Sequence, residues 1–209
     1  MKLCSALLLA ATAVVAIPAV AQMPSMPSRP SVPSVPSVPS VPSVPSMPGM
    51  PAMPDQTKNP VMWSSDQIYY RQAKFIAAAA DAMPEDKYGF QPTPAQLTFG
   101  AAIRHLAGSN GNICGSISGM PAPAATKVAE TATKDELVAA LKASFEFCDA
   151  AMAGATDAKL GDQITWRGGK APRARAVIEL VADLEDHYSQ LAGYMRLNDI
   201  LPPSATPKK

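Results

Sequence analysis

Between Met23 and Pro54 every third residue is proline, from Pro24, Pro27 and Pro30 onward to Pro54, 11 prolines in one run. Nothing else constrains the chain as strongly. Proline removes a backbone donor and fixes φ, so this stretch can enter neither a helix interior nor the middle of a sheet. The polyproline II helix also turns once in three residues. In that register proline lines one edge, serine mostly the second, and valine or methionine mostly the third, which leaves nothing to pack into a core. At about 3.1 Å per residue the segment would extend on the order of 100 Å as a semi-rigid spacer. Such a stalk could lift a domain from a surface or present a proline-rich ligand, and a low-complexity spacer with neither task is the simpler reading.

The residues before the repeat read as an export signal. Lys2 gives a positive end, Leu7 to Ile17 form an apolar run, and Ala19-Val20-Ala21 is the small-x-small pattern of a cleavage site, so the mature chain would begin at Gln22. The run is too short to span a bilayer and no later stretch is long enough, so no integral membrane span is expected after cleavage. Cys4 precedes the apolar run rather than ending it, which excludes a lipoprotein signal. The expected organisation is a signal peptide over 1–21, a proline-rich linker over 22–63, a folded domain over 64–203 and a tail over 204–209, in a periplasmic or secreted protein.

With leader and repeat set aside, about 150 of the 209 residues remain, enough for one core. Lys and Arg number 18 against 17 Asp and Glu, and removal of Lys2 balances them. That balance offers no electrostatic footprint for nucleic acid or an anionic membrane. Cys114 and Cys148 survive processing. In an oxidising compartment such a pair is more often a disulfide than a catalytic dyad, with two buried free thiols as the alternative.

The rest of the chain has helical periodicity. Ser64-Ser65-Asp66-Gln67 fits a capping box, followed by an apolar side of Ile68, Phe75, Ile76, Ala79 and Met83, and Pro84 ends this first helix. Thr98 caps a second, carrying Phe99, Ile103, Leu106 and Ile113 and weakened by Gly108 and Gly111. Thr133-Lys134-Asp135-Glu136 is a second capping box and opens a third, in which Leu137, Leu141, Phe145, Cys148 and Met152 follow at steps of three or four. A Gly-containing loop with Trp166 leads through Pro172 into a fourth helix, with a stripe of Val177, Leu180, Val181, Leu184, Leu191 and Met195 and an end near Asn198. Four such segments without an alternating strand between them imply an all-α four-helix bundle with at least one longer crossover.

Two histidines carry the chemistry. His105 lies among Ala102, Ile103 and Leu106 on the second helix and is expected near the interior. His187 falls on the stripe of the fourth, four residues after Asp183, and an i, i+4 pair projects from one side of a helix. Two imidazoles and a carboxylate from facing helices could form a three-ligand site with open positions, suited to Zn or Fe(II). On these positions alone, a surface ion pair and a hydrogen-bonded core histidine are the commoner explanations.

The segments Ala82-Met83-Pro84-Glu85-Asp86-Lys87-Tyr88-Gly89-Phe90-Gln91-Pro92-Thr93-Pro94, Thr98-Phe99-Gly100 through His105-Leu106-Ala107, and Asp186-His187-Tyr188-Ser189-Gln190-Leu191 through Tyr194-Met195 to Pro202-Pro203 resemble the DinB-like superfamily. The likeness spans roughly Gln67 to Pro203 and leaves out the leader and the proline repeat. It implies a four-helix bundle with a metal held by three histidines, one on the second helix and two, spaced H-x-x-x-H, on the fourth. His105 and His187 match the first and last of these, and Asp183 occupies the middle position. Carboxylate in place of imidazole favours harder metals, so a divalent ion is implied without its identity, Zn, Fe or Ni. The other outcome is a lost site, with Asp183 holding His187 as an ion pair.

Characterised relatives include transferases and isomerases that use low-molecular-weight thiols, cofactors of the cytoplasm that suit an exported chain poorly. Two expectations follow. One is a metal-dependent hydrolase or transferase in which the cation polarises an oxygen of a small-molecule substrate or acidifies a water. The other is a non-catalytic bundle that binds a ligand or envelope partner. No separate general base stands out: Glu185, Asp186 and Tyr188 are near His187 in sequence, the first two reading better as a solvated face. Bundles of this size often form a homodimer through an exposed helix face.

Overall fold

The computed structural model describes residues 55–205. The expected signal peptide, residues 22–54 of the spacer and the last four residues of the tail lie outside the described residues. Four α-helices dominate the described part: α1 (Pro60–Ala82), α2 (Phe99–Ser118), α3 (Lys134–Ala153) and α4 (Arg173–Leu197). α2 packs on both α3 and α4, while α1 packs on α4 and more thinly on α3. The order around the bundle is therefore α1, α4, α2, α3. Both α1 to α2 and α3 to α4 cross the bundle diagonally, while α2 and α3 are neighbours.

The core is the shared apolar side of the four helices. Tyr69, Ile76, Phe99, Ile103, Leu106, Leu141, Met152, Leu180 and Leu184 are fully buried, each aliphatic among them worth about 1.5 to 3 kcal/mol of burial. Cys114 on α2 and Cys148 on α3, both fully buried, stand at disulfide distance with Cα atoms 5.2 Å apart. They clamp the most extensive helix pair of the bundle.

Two helix starts follow the local sequence. Thr98 Oγ1 accepts from Ala101 N at 3.1 Å. At α3 the box closes both ways, Glu136 N donating to Thr133 Oγ1 at 3.3 Å and Thr133 N to Glu136 Oε2 at 2.7 Å. The first helix departs from expectation. It begins at Pro60 rather than after Ser64, so Ser64 and Ser65 lie inside it and donate to the carbonyls of Pro60 and Val61. Its free amides find a distant partner: Val61 N and Met62 N donate to the Asp157 carboxylate at 2.9 and 2.8 Å, and Asp157 N donates back to Asn59 Oδ1 at 3.0 Å.

The Trp166 loop is a hairpin, not an irregular link. β1 (Gln163–Trp166) and β2 (Gly169–Pro172) pair antiparallel, with Trp166 opposite Gly169. Arg167 at φ 44° and Gly168 at φ 83° make the two-residue turn, whose two left-handed residues match the twist of the strands. Strands of four residues show too little alternation to stand out in sequence. Gly111, a weak point for a helix, has a packing reason: a Cβ there would lie 2.8 Å from Thr126 Oγ1, because the α2–α3 connection crosses the helix at that point. At the other end, Pro203–Ala205 form a 3-10 turn tied down by Ser204 N donating to Tyr188 Oη at 2.8 Å, so the tail starts as packed chain.

Candidate metal centre

α2 and α4 are neighbours, and their contact brings the three candidate ligands together. One ligand atom each from His105, Asp183 and His187 lies within 4.8 Å of the other two. The imidazole ring centroids of His105 and His187 are 4.9 Å apart at 69°. His187 is buried, Asp183 half-buried and His105 exposed. The expected interior position of His105 is thus corrected: its neighbours Ile103 and Leu106 take the core, and the ring points along the bundle surface toward α4.

Each ligand is held differently. Asp183 Oδ2 accepts from Ser109 Oγ at 2.9 Å, across from α2, which aims the carboxylate. Its Oδ1 stands 3.6 Å from His187 Nε2, too far for a hydrogen bond. The other ring nitrogen, Nδ1, is buried without a partner. An imidazole this buried is ordinarily hydrogen bonded, and one left unpaired destabilises the fold by about 1 to 3 kcal/mol.

These distances fit a cation. Two donor atoms about 2.1 Å from one metal stand about 3.4 Å apart at the tetrahedral angle and about 4.2 Å apart when opposite. The 3.6 Å pair matches the first figure, and the exposed His105 side chain has the freedom to close the remaining gap. Two neutral imidazoles and one carboxylate offer one negative charge to a divalent ion and leave coordination positions open.

Of the three, His105 also lines a cleft of about 730 Å³, whose wall includes Ser109 and Leu97 from the α2 side and Trp166 and Arg167 from the hairpin. The sequence neighbours of His187 are engaged elsewhere. Glu185 pairs with Arg71 of α1 at 2.6 Å, and its carboxyl is held below the usual range by the Gln72 amide and Arg71. Asp186 accepts from Gln190 at 2.9 Å, and Tyr188 is buried against Phe75. Sequence reasoning missed Ser109 and the hairpin residues; a serine one turn after His105 on the same helix was the available signal.

Both comparisons with solved structures give the bundle. A DinB-like protein from Bacillus cereus superposes with a TM-score of 0.57 at 16% identity, covering 66% of this chain and 93% of that one. A DinB-like protein from Bacillus subtilis gives 0.56 at 18% identity, covering 69% and 99%. No curated protein matches the chain in sequence. At these identities the likeness speaks for the fold alone. The family model described as the DinB superfamily, however, matches residues 68–191, from the first helix to beyond His187 and more than half of the sequence. On that match this chain belongs to the DinB superfamily.

Proposed function

We propose that this protein is an exported metal-dependent enzyme, hydrolytic or transferase-like, acting on a small molecule in the cleft beside His105, Asp183 and His187. The observation that carries the reading is the convergence of His105, Asp183 and His187, one ligand atom from each lying within 4.8 Å of the others, with His187 Nε2 3.6 Å from Asp183. A cation would take up the Nε2 lone pair and the carboxylate together. When bound, it supplies Lewis acidity toward a substrate oxygen. The chain does the rest. Ser109 fixes the Asp183 carboxylate, the α2–α4 contact fixes His187, and the hairpin covers one flank of the cleft. The disulfide-distance cysteines support an oxidising compartment, and among the described residues no helix is long and apolar enough to cross a membrane.

Metal analysis of tag-free protein purified without chelator tests this. About one divalent ion per chain is expected, lost in His105→Ala and His187→Ala. Ser109→Ala is expected to weaken metal affinity roughly 10- to 100-fold at unchanged fold, the usual effect of removing a partner that orients a ligand. Folded protein that stays metal-free when offered zinc, iron and nickel would sink the enzymatic reading and leave a non-catalytic bundle.

A further inference from the structure

Around the cleft the charges are one-sided. Arg104 of α2 and Arg167 of the hairpin turn both reach its wall, and among the described residues that wall carries no carboxylate. Each guanidinium has a partner that releases it easily. Arg104 meets Glu130 at 3.2 Å, and that glutamate is 83% exposed. Arg167 meets Glu179 at 2.8 Å, but Glu179 also pairs with Arg175 at 2.9 Å and remains neutralised if Arg167 turns away. Ion pairs open to solvent on at least one side are weak, so exchanging either glutamate for a ligand anion costs little.

The same wall has an apolar side. Leu97 is 45% exposed there, and Trp166 presents a ring on which the Arg167 guanidinium already rests, 5.2 Å from the centroid. Arg167 holds this place in a left-handed backbone conformation, at φ 44°, where a turn of this type ordinarily has Asn or Gly. A planar guanidinium fork over an aromatic face suits a carboxylate attached to a flat apolar body.

We propose that this cleft binds a small organic carboxylate, with the carboxylate on Arg167 and Arg104 and the apolar body between Trp166 and Leu97, its far end reaching His105. This rests on the proposed function for the substrate's chemical fate, though not for its capture. Capture is therefore tested on EDTA-stripped protein, where metal occupancy has no influence.

The probes are benzoate, its neutral isostere benzamide, and inorganic phosphate, a charge without a flat body. In a Trp63→Phe background the fluorescence of Trp166 reports binding. Benzoate is expected to bind at least 10-fold tighter than benzamide or phosphate, and to weaken with added NaCl. Arg167→Gln and Arg104→Gln, checked for fold by circular dichroism, should each weaken benzoate at least 5-fold and leave benzamide unchanged. Equal affinities for benzoate and benzamide, or benzoate binding untouched by both arginine variants, overturns the proposal whatever the metal content proves to be.

Discussion

Asp66 carries a consequence of burial that its sequence neighbours hide. It lies three residues into what reads as a capping box, yet the observed helix starts earlier and puts it in the α1 interior, 3% exposed, with Oδ1 unpartnered. Burial first, and then the nearby Asp149 carboxylate, push its pKa from 3.8 up to about 6. Burial also raises Asp149, against the Tyr69 hydroxyl that donates to it at 2.8 Å. Between about pH 4 and 6 the folded chain therefore holds a proton that the unfolded chain has lost. Stability from this group is greatest below that window and falls as pH rises through it. A shift of this size corresponds to an effect on the order of 2 to 3 kcal/mol above pH 6. Asp66→Asn should reduce the slope, raising stability by roughly 1 to 3 kcal/mol at pH 8 and by little at pH 4. Urea denaturation at the two pH values checks this, and a variant that tracks the parent at both would refute it.

For whole elements, legibility depends on where the capping partner comes from. Thr98 and Thr133 cap helices through amides three residues ahead, so their pattern is complete within four residues of sequence. The start of α1 is completed by Asp157, 95 and 96 residues away along the chain, and no local rule reaches it. Removing that carboxylate should be felt, because it satisfies two otherwise unpaired amides and its charge faces the positive end of the helix. Asp157→Ala is expected to lower stability by roughly 1 to 2 kcal/mol, read as a lower urea midpoint at unchanged slope, with Thr57→Ala as a nearby control of small effect. The hairpin was illegible for a related reason: among its eight residues only Ile164 is buried, so its pairing is dictated by the turn and by its seat on the bundle rather than by alternation.

The bundle as a whole is held by the common core, and Cys114 and Cys148 stand at disulfide distance between α2 and α3. Closing a loop of about 35 residues is worth roughly 3 to 4 kcal/mol through the unfolded chain. The double variant Cys114→Ser, Cys148→Ser should lose about that much in urea denaturation while keeping its helical circular dichroism. An unchanged midpoint would mean the link adds nothing to the packing already there.

Local sequence was enough to place the starts of α2 and α3, the span of α4, and Asp183 and His187 on one side of α4. Each depends on backbone chemistry or spacing within a few residues. It took the packed molecule to show that His105 meets that pair from the surface rather than from the core, that Ser109 aims Asp183, and that two arginines and a tryptophan share a cleft with His105 and Ser109. Those relations depend on how α2 lies against α4 and on where a short hairpin lands, and the packing of the whole core sets both.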